Sequence, residues 1–361
     1  MTAVASGRMV NSLTTGRLPR GSVWMLLIGS WVLLGLVFLF VQLSGATKSF
    51  NLVGAIFLGT VLFDVLIFVI SLLVEGVRKA KDRLVTSLVA TAFIVALLPL
   101  VSLLWTVVQH GLGRMIQPSF FSMSMRNVLD GSGGVVHALY GTLEITLATT
   151  IISVPIGLMT AIYLVEYGRG PLARAITFLV DVMTGIPSIV AGLFAFALFA
   201  LLTGNPGFRS GFAGAVALSV LMIPVIVRSS EEMLKLVANE LREAAFALGV
   251  PKWLTVLKVV LPTALPGIMT GITLAIARVI GETAPLLIAS GYSDSVNFDL
   301  FSNRMMSLPV FVYTQYANQG SIAEFFTARS WAAALTLILI VMLLNLAARL
   351  VARIFSPKLG R

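Results

Sequence analysis

The chain has 361 residues, of which 58% are apolar and only 11% charged, and its mean hydropathy is +1.00. A soluble domain carries about a quarter charged residues, so there are too few polar side chains to cover a water-facing surface, and the composition points to a polytopic membrane protein. The absence of cysteine excludes disulfides, thiolate metal sites and cysteine nucleophiles. Two histidines in separate segments leave little for a catalytic metal, and a net charge of +10 without a long basic run does not indicate nucleic acid as a partner.

A bilayer crossing takes about 20 helical residues. Eight apolar stretches are long enough, near 22–43, 52–74, 84–108, 137–165, 177–202, 211–228, 263–290 and 329–352. They are continuous rather than alternating, which predicts an all-α bundle and not a closed barrel. The first stretch follows a basic leader, but its apolar length exceeds the about 7–15 residues of a signal core, so it reads as an uncleaved anchor. The polar segment from Glu75 to Arg83 then divides the chain into an N-terminal part, 1–83, with two spans and a part, 84–361, with six. With the N-terminus inside, eighteen lysines and arginines fall in cytoplasmic pieces and six in outer ones. Arg278, within a span, completes the 25. That asymmetry predicts both termini in the cytoplasm.

Within the spans, Pro187, Pro224, Pro266 and Pro285 free backbone groups, as transporter helices do where they line a cavity. Asp64, Glu144 and Asp181 read as bundle contacts or interfacial side chains, and His110 and His137 as loop residues at the outer boundary. Gly267 and Gly271 permit close helix contact.

Between the sixth and seventh spans, residues 229–262 carry Met233, Leu234, Val237, Leu241, Ala244, Ala245 and Leu248 on one helical stripe, with acidic and basic residues opposite. Ser229 and Ser230 are candidate caps at the start, and Gly249 suits a left-handed helix end. Pro251 suits the first turn of a second short helix running to Pro262. Periodicity alone also fits an amphipathic helix lying on the inner membrane surface.

The seventh span contains Arg278 and Glu282, four residues apart. Arg278 lies about 13 residues, or on the order of 20 Å of helix, beyond Leu265. A charge at that depth costs several kcal/mol unless it meets a cavity or a partner. An intrahelical pair in the order Arg before Glu is the poorer arrangement. Arginine is permanently charged and offers a planar donor fork that matches an oxyanion. Glu282 either holds that fork or rejects more highly charged anions. No G-x-x-x-x-G-K-[ST] phosphate loop is present, so ATP is not bound here by that route. The aromatic-rich loop from Phe298 to Phe326 is either a contact for a binding protein or a generic interfacial loop.

Glu243-Ala244-Ala245-x3-Gly249-x9-Val259-x-Leu261-Pro262 resembles the EAA loop of binding-protein-dependent ABC importer permeases, the MetI-like family, departing only at Val259, where that pattern has isoleucine. Arg278-x-x-Gly281-Glu282-Thr283-Ala284-Pro285, Thr184-Gly185-Ile186-Pro187-Ser188-Ile189 and Leu308-Pro309-Val310 are similar to segments of the phosphate-importer permeases. The resemblance covers roughly 84–361 and assigns no role to the first 83 residues.

It implies a six-helix permease core that moves inorganic phosphate into the bacterial cytoplasm across the inner membrane by alternating access. Arg278, Glu282, Thr283, Thr184 and Ser188 would border the pathway. Glu243, Ala244, Ala245, Gly249, Leu261 and Pro262 would couple to an ATPase in a helix-in-groove contact. The implied partners are a second homologous permease (PstC-like), an ABC ATPase dimer (PstB-like) that holds ATP and Mg, and an extracytoplasmic phosphate-binding protein (PstS-like). This chain itself would be no enzyme and hold no cofactor or metal. A permease for another small solute, and an ion-coupled secondary transporter using Arg278 and Glu282 as a proton relay, are the competing readings.

Overall fold

A computed structural model of the chain describes residues 18–19, 21–44, 50–128, 131–320 and 322–355. Arg8, Arg17, Arg20, Lys48, Lys358 and Arg361, six of the basic residues that orient the chain, lie outside them. Every regular element among the described residues is helical, as the continuous apolar runs predict. Among the described residues seven helices are long and apolar enough to cross a membrane, or eight spans result if one bent pair counts as a single span. The chain divides into two units, 1–104 and 105–361.

In the first unit α1 (Ser22–Leu43) and α2 (Leu52–Val74) pack as a hairpin. The Trp31 indole donates to Thr60 Oγ1 at 3.0 Å. Most other large side chains of both helices are exposed, as expected of surfaces that face lipid. Asp64 accepts a hydrogen bond from the Ser87 hydroxyl, the bundle contact expected of it. Glu75, buried just after α2, holds Arg83 by two contacts, Nη2–Oε1 at 3.0 Å and Nε–Oε2 at 2.7 Å, and accepts from the Leu18 amide at 3.0 Å.

The helix α3 (Val77–Met115) extends well past the expected 84–108. The polar residues at both of its ends are helix-compatible, so hydropathy marks the lipid-covered part of a helix rather than its whole length. His110 accordingly lies inside α3 and not in a loop, its Nδ1 2.9 Å from the Thr106 carbonyl. His137 is likewise helical. It is buried in α5 (Val136–Ile162), edge-on to Phe311.

After the short α4 (Pro118–Ser122), α5 and α8 (Gly211–Lys235) form the centre of the second unit. They run parallel, with Thr149 Oγ1 on the Ala215 carbonyl at 3.3 Å and Gly157 against Ile226. Against α8 packs α11 (Leu261–Val279), antiparallel, through Gly267 on Met233 and Gly271 on Ser229. Both glycines of that pair thus serve helix packing. Ile145, Leu218, Met222, Ile226, Ile268 and Phe311 are buried at these contacts. The last hairpin, α13 (Leu308–Ala317) and α14 (Ala323–Phe355), is pinned by Arg329, which is fully buried, bonds Gln315 Oε1 at 3.1 Å and the Ser132 carbonyl at 2.8 Å, and lies over the Phe326 ring.

The expected fifth span, 177–202, is not one straight helix. It is α6 (Gly170–Thr184) and α7 (Ser188–Thr203), bent by 108° at Gly185–Pro187. Proline removes a backbone donor and biases the residue before it away from helix, so the break falls at Pro187.

Candidate functional site

The seventh apolar stretch is also interrupted. α11 ends at Val279, residues 280–283 are not helical, and α12 (Ala284–Ala289) restarts with Pro285 in its first turn. Arg278 therefore sits in the last turn of a helix and Glu282 beyond its end, so the two are not an i, i+4 pair on one helix. The helix C-terminus itself favours a cation there. Gly271 lies against Ser229, while Leu286 and Ser290 lie against Gly214, so the break falls between them, alongside the middle of α8. Arg278 is exposed and Glu282 half-buried, and no ion pair or hydrogen bond joins them.

The two breaks are brought together. A Cβ on Gly192, one turn into α7, would lie 2.6 Å from the Cα of Pro285. Thr184 and Ser188 flank one break and Thr283 the other. Thr184 spends its hydroxyl on the Val180 carbonyl at 2.8 Å. The first amides of α7, which begins at Ser188 after Pro187, have no side-chain cap, and they form the positive end of a 16-residue helix. Glu144, half-buried in α5, has no ion-pair partner among the described residues.

At the other end of α8 the segment 229–262 departs from expectation in three respects, the first being that the stripe from Met233 to Leu248 does not lie on one helix, because α8 ends at Lys235 and the next helix starts only at Asn239. α8 continues through Ser229 and Ser230 to Lys235, so these serines are helix interior and not caps. The second helix is not short either. α10 (Lys252–Thr255) runs through a π-helical turn, Val256–Val260, directly into α11, which places Leu261 and Pro262 within one continuous helix. The separate element is α9 (Asn239–Ala247). It closes as predicted, with Gly249 at φ +77 and the Val250 amide returning to the Ala245 carbonyl at 3.1 Å. Ala245 is buried, whereas Glu243, Ala244, Leu241 and Leu248 are exposed on the free side of α9.

Sequence reasoning missed what holds α9 in place. Arg242 reaches Glu166 in the π-helical turn that follows α5 (Tyr163–Tyr167), Nη2–Oε1 at 2.9 Å and Nε–Oε1 at 3.1 Å. It also donates to the Val237 and Leu234 carbonyls at 2.6 and 2.9 Å. The partners are 76 residues apart, and nothing local signals the pairing. Arg228 joins Asp181 of α6 and, at 2.9 Å, Glu231, so Asp181 is the bundle contact expected of it.

The model of binding-protein-dependent transport system inner membrane components matches residues 153–361. The phosphate transport system permease protein PstA 1 of Mycobacterium tuberculosis is 51% identical over 276 residues, 76% of this chain and 88% of that protein. PstA of Yersinia pestis is 37% identical over 279 residues, 76% and 90% of the two chains. Among solved structures, the inward-facing MetNI methionine ABC transporter matches with a TM-score of 0.50 at 22% identity over 62% of this chain and 96% of that one. A bacterial alginate ABC transporter, in complex with its alginate-bound periplasmic protein, matches with 0.56 at 12% over 78% and 97%. The structural likeness shows the fold, and the sequence matches show the family. The chain belongs to the binding-protein-dependent transport system inner membrane components, and within them to the PstA permeases of phosphate transport systems.

Proposed function

We propose that this chain is the membrane-spanning subunit of an importer that carries inorganic phosphate into the cytoplasm by alternating access. The observation that carries this reading is Arg278: a guanidinium without an acidic partner among the described residues, set at a helix break midway along α8, where a second break closes on it. Arginine keeps its charge at any accessible pH and can present two parallel donors to a phosphate. The uncapped start of α7 adds a positive helix end on the same side of the Gly192–Pro285 contact. Glu282, Thr283, Thr184 and Ser188 border the path, with Glu282 adjusting the field around Arg278.

Energy comes from an ABC ATPase dimer that holds ATP and Mg. α9 meets it through Glu243, Ala244 and the apolar side chains beside them, while Ala245 and Gly249 set its shape and Leu261 and Pro262 carry its motion into α11. A second, homologous permease supplies the other half of the path, and an extracytoplasmic phosphate-binding protein delivers the anion. The domain division follows, with 84–361 as the permease core and 1–83 as an accessory pair of spans. Both termini lie in the cytoplasm, in keeping with the basic asymmetry.

Uptake of radiolabelled phosphate at matched expression tests the reading. Arg278→Gln keeps a polar side chain and removes the charge, and uptake should nearly vanish while insertion and ATPase co-purification persist. Arg278→Lys retains the charge without the fork and should be intermediate. Wild-type uptake in the glutamine variant overturns the role of Arg278. ATP-independent uptake that collapses with the proton gradient favours the secondary-transporter alternative.

A further inference from the structure

At the end of α8 remote from α9, the turn between α7 and α8 and the loop that follows α12 line an open cavity of about 500 Å³. Its lining includes Asn205, Arg209, Tyr292, Ser293, Asn303 and Arg304. Two arginines converge on it for reasons of backbone geometry. The Ser210 amide bonds the Ala289 carbonyl at 3.3 Å and the Met305 amide bonds the next carbonyl, Ser290, at 3.1 Å, so the residue preceding each is held beside the end of α12. Both aliphatic stems then cross Gly291. A Cβ there would lie 2.7 Å from Arg209 Cδ and 3.3 Å from Arg304 Cδ, and the residue has φ +78, so only glycine suits the position.

Among the described residues no carboxylate neutralises the two charges. Arg209 donates through Nε to the Ile288 carbonyl at 2.9 Å and lies over Phe196, which fixes its plane, and among the described residues its terminal nitrogens meet no protein acceptor. Among the described residues neither arginine forms an ion pair. The nearby carboxylates are engaged within their own loop: Asp294 accepts from the Tyr292 hydroxyl, and Asp299 from the Ser302 hydroxyl and, at 2.9 Å, the Phe301 amide. Two like charges crowded on one glycine repel each other, and an anion between them removes that cost. The side-chain amides of Asn205 and Asn303 supply further donors, and a cleft lined by one sign of charge concentrates the opposite ion.

We infer that this cavity is a receiving site for a tetrahedral oxyanion, held by Arg209 and Arg304, from which the anion passes along α12 to the break at Arg278. This deepens the proposed function and rests on it for the ligand's identity. The six residues of α12 span about 9 Å, so the two sites are close enough to be occupied in succession.

The natural chain has no cysteine, so Ser293→Cys introduces a single thiol into the cavity wall. Its rate of modification by a neutral maleimide is measured on the full-length protein in lipid nanodiscs, with inorganic phosphate against chloride at equal ionic strength. Phosphate should slow the reaction several-fold. Arg304→Gln removes a side chain with no partner among the described residues and should shift the protecting phosphate concentration upward roughly tenfold, the loss expected for one charged hydrogen-bonding group. Adding Arg209→Gln should abolish protection. Protection that survives the double substitution, or is absent from the parent, overturns the site. No protection combined with loss of uptake in the arginine variants would mean that the pair meets acidic side chains of a protein partner, which also overturns it. The measurement uses no ATP, partner or transport, so its failure is distinguishable from failure of Arg278-dependent uptake.

Discussion

Gly192 of α7 faces Pro285 of α12 so closely that a β-carbon on the glycine would lie 2.6 Å from the proline Cα and 3.0 Å from its carbonyl oxygen. The obstacle is backbone and cannot rotate away. Gly192→Ala should push the two broken helices apart, and Gly192→Val more so, with an overpacking cost of about 1–3 kcal/mol. Thermal unfolding in detergent should record the loss, and phosphate uptake should fall further than the lost stability accounts for. Unchanged unfolding and uptake in the valine variant would mean that the contact is not maintained.

The Arg242–Glu166 pair should be an energetic tie between α9 and the end of α5. Its side chains are only 13% and 6% exposed, so removing one leaves the other poorly solvated. Arg242→Gln should cost about 3 kcal/mol. Because Arg242 also serves two carbonyls, Glu166→Gln should cost less. A double-mutant cycle on unfolding should give a coupling energy well above the about 0–1 kcal/mol of an exposed pair, and additive effects would dissolve the tie.

Gly249 tests backbone conformation without a steric complication, since nothing lies within 4 Å of a Cβ placed there. At φ +77, Gly249→Val should cost at least about 1–2 kcal/mol at the end of α9, whereas Gly249→Asn should be tolerated better. Uptake and ATPase co-purification at matched expression should follow the order Gly, Asn, Val. Equal performance of all three would show that α9 does not need this closure.

Glu75 should make the first unit acid-sensitive. Burial pushes its carboxyl upward, but the Leu18 amide, the Arg83 hydrogen bond and the Arg83 and Lys79 charges outweigh that and hold it below its usual 4.5. A carboxyl lowered on folding stabilises above its unfolded value, and the contribution fades as pH falls through the lower folded one. Resistance of the segment between α2 and α3 to proteolysis should therefore decline below about pH 4.5 in the parent. Glu75→Gln should show little of that pH dependence. An identical profile in both proteins would place the acid sensitivity elsewhere.

The membrane class, the number of apolar runs and the left-handed glycine at the end of α9 were legible in the sequence, because hydropathy and glycine chemistry act locally along the chain. Local pattern is silent on where a run breaks when both halves remain apolar: 177–202 reads as one span, yet it folds as two helices at 108°. It is equally silent on continuity, since Pro262 looks like a helix end but lies within a helix whose neighbours satisfy the backbone. Only the tertiary structure decided which distant residues meet, namely Gly192 with Pro285, Glu166 with Arg242, and Arg209 with Arg304 over Gly291. Each of these depends on helix packing across 76 to 95 residues of chain, and no periodicity within one segment encodes it.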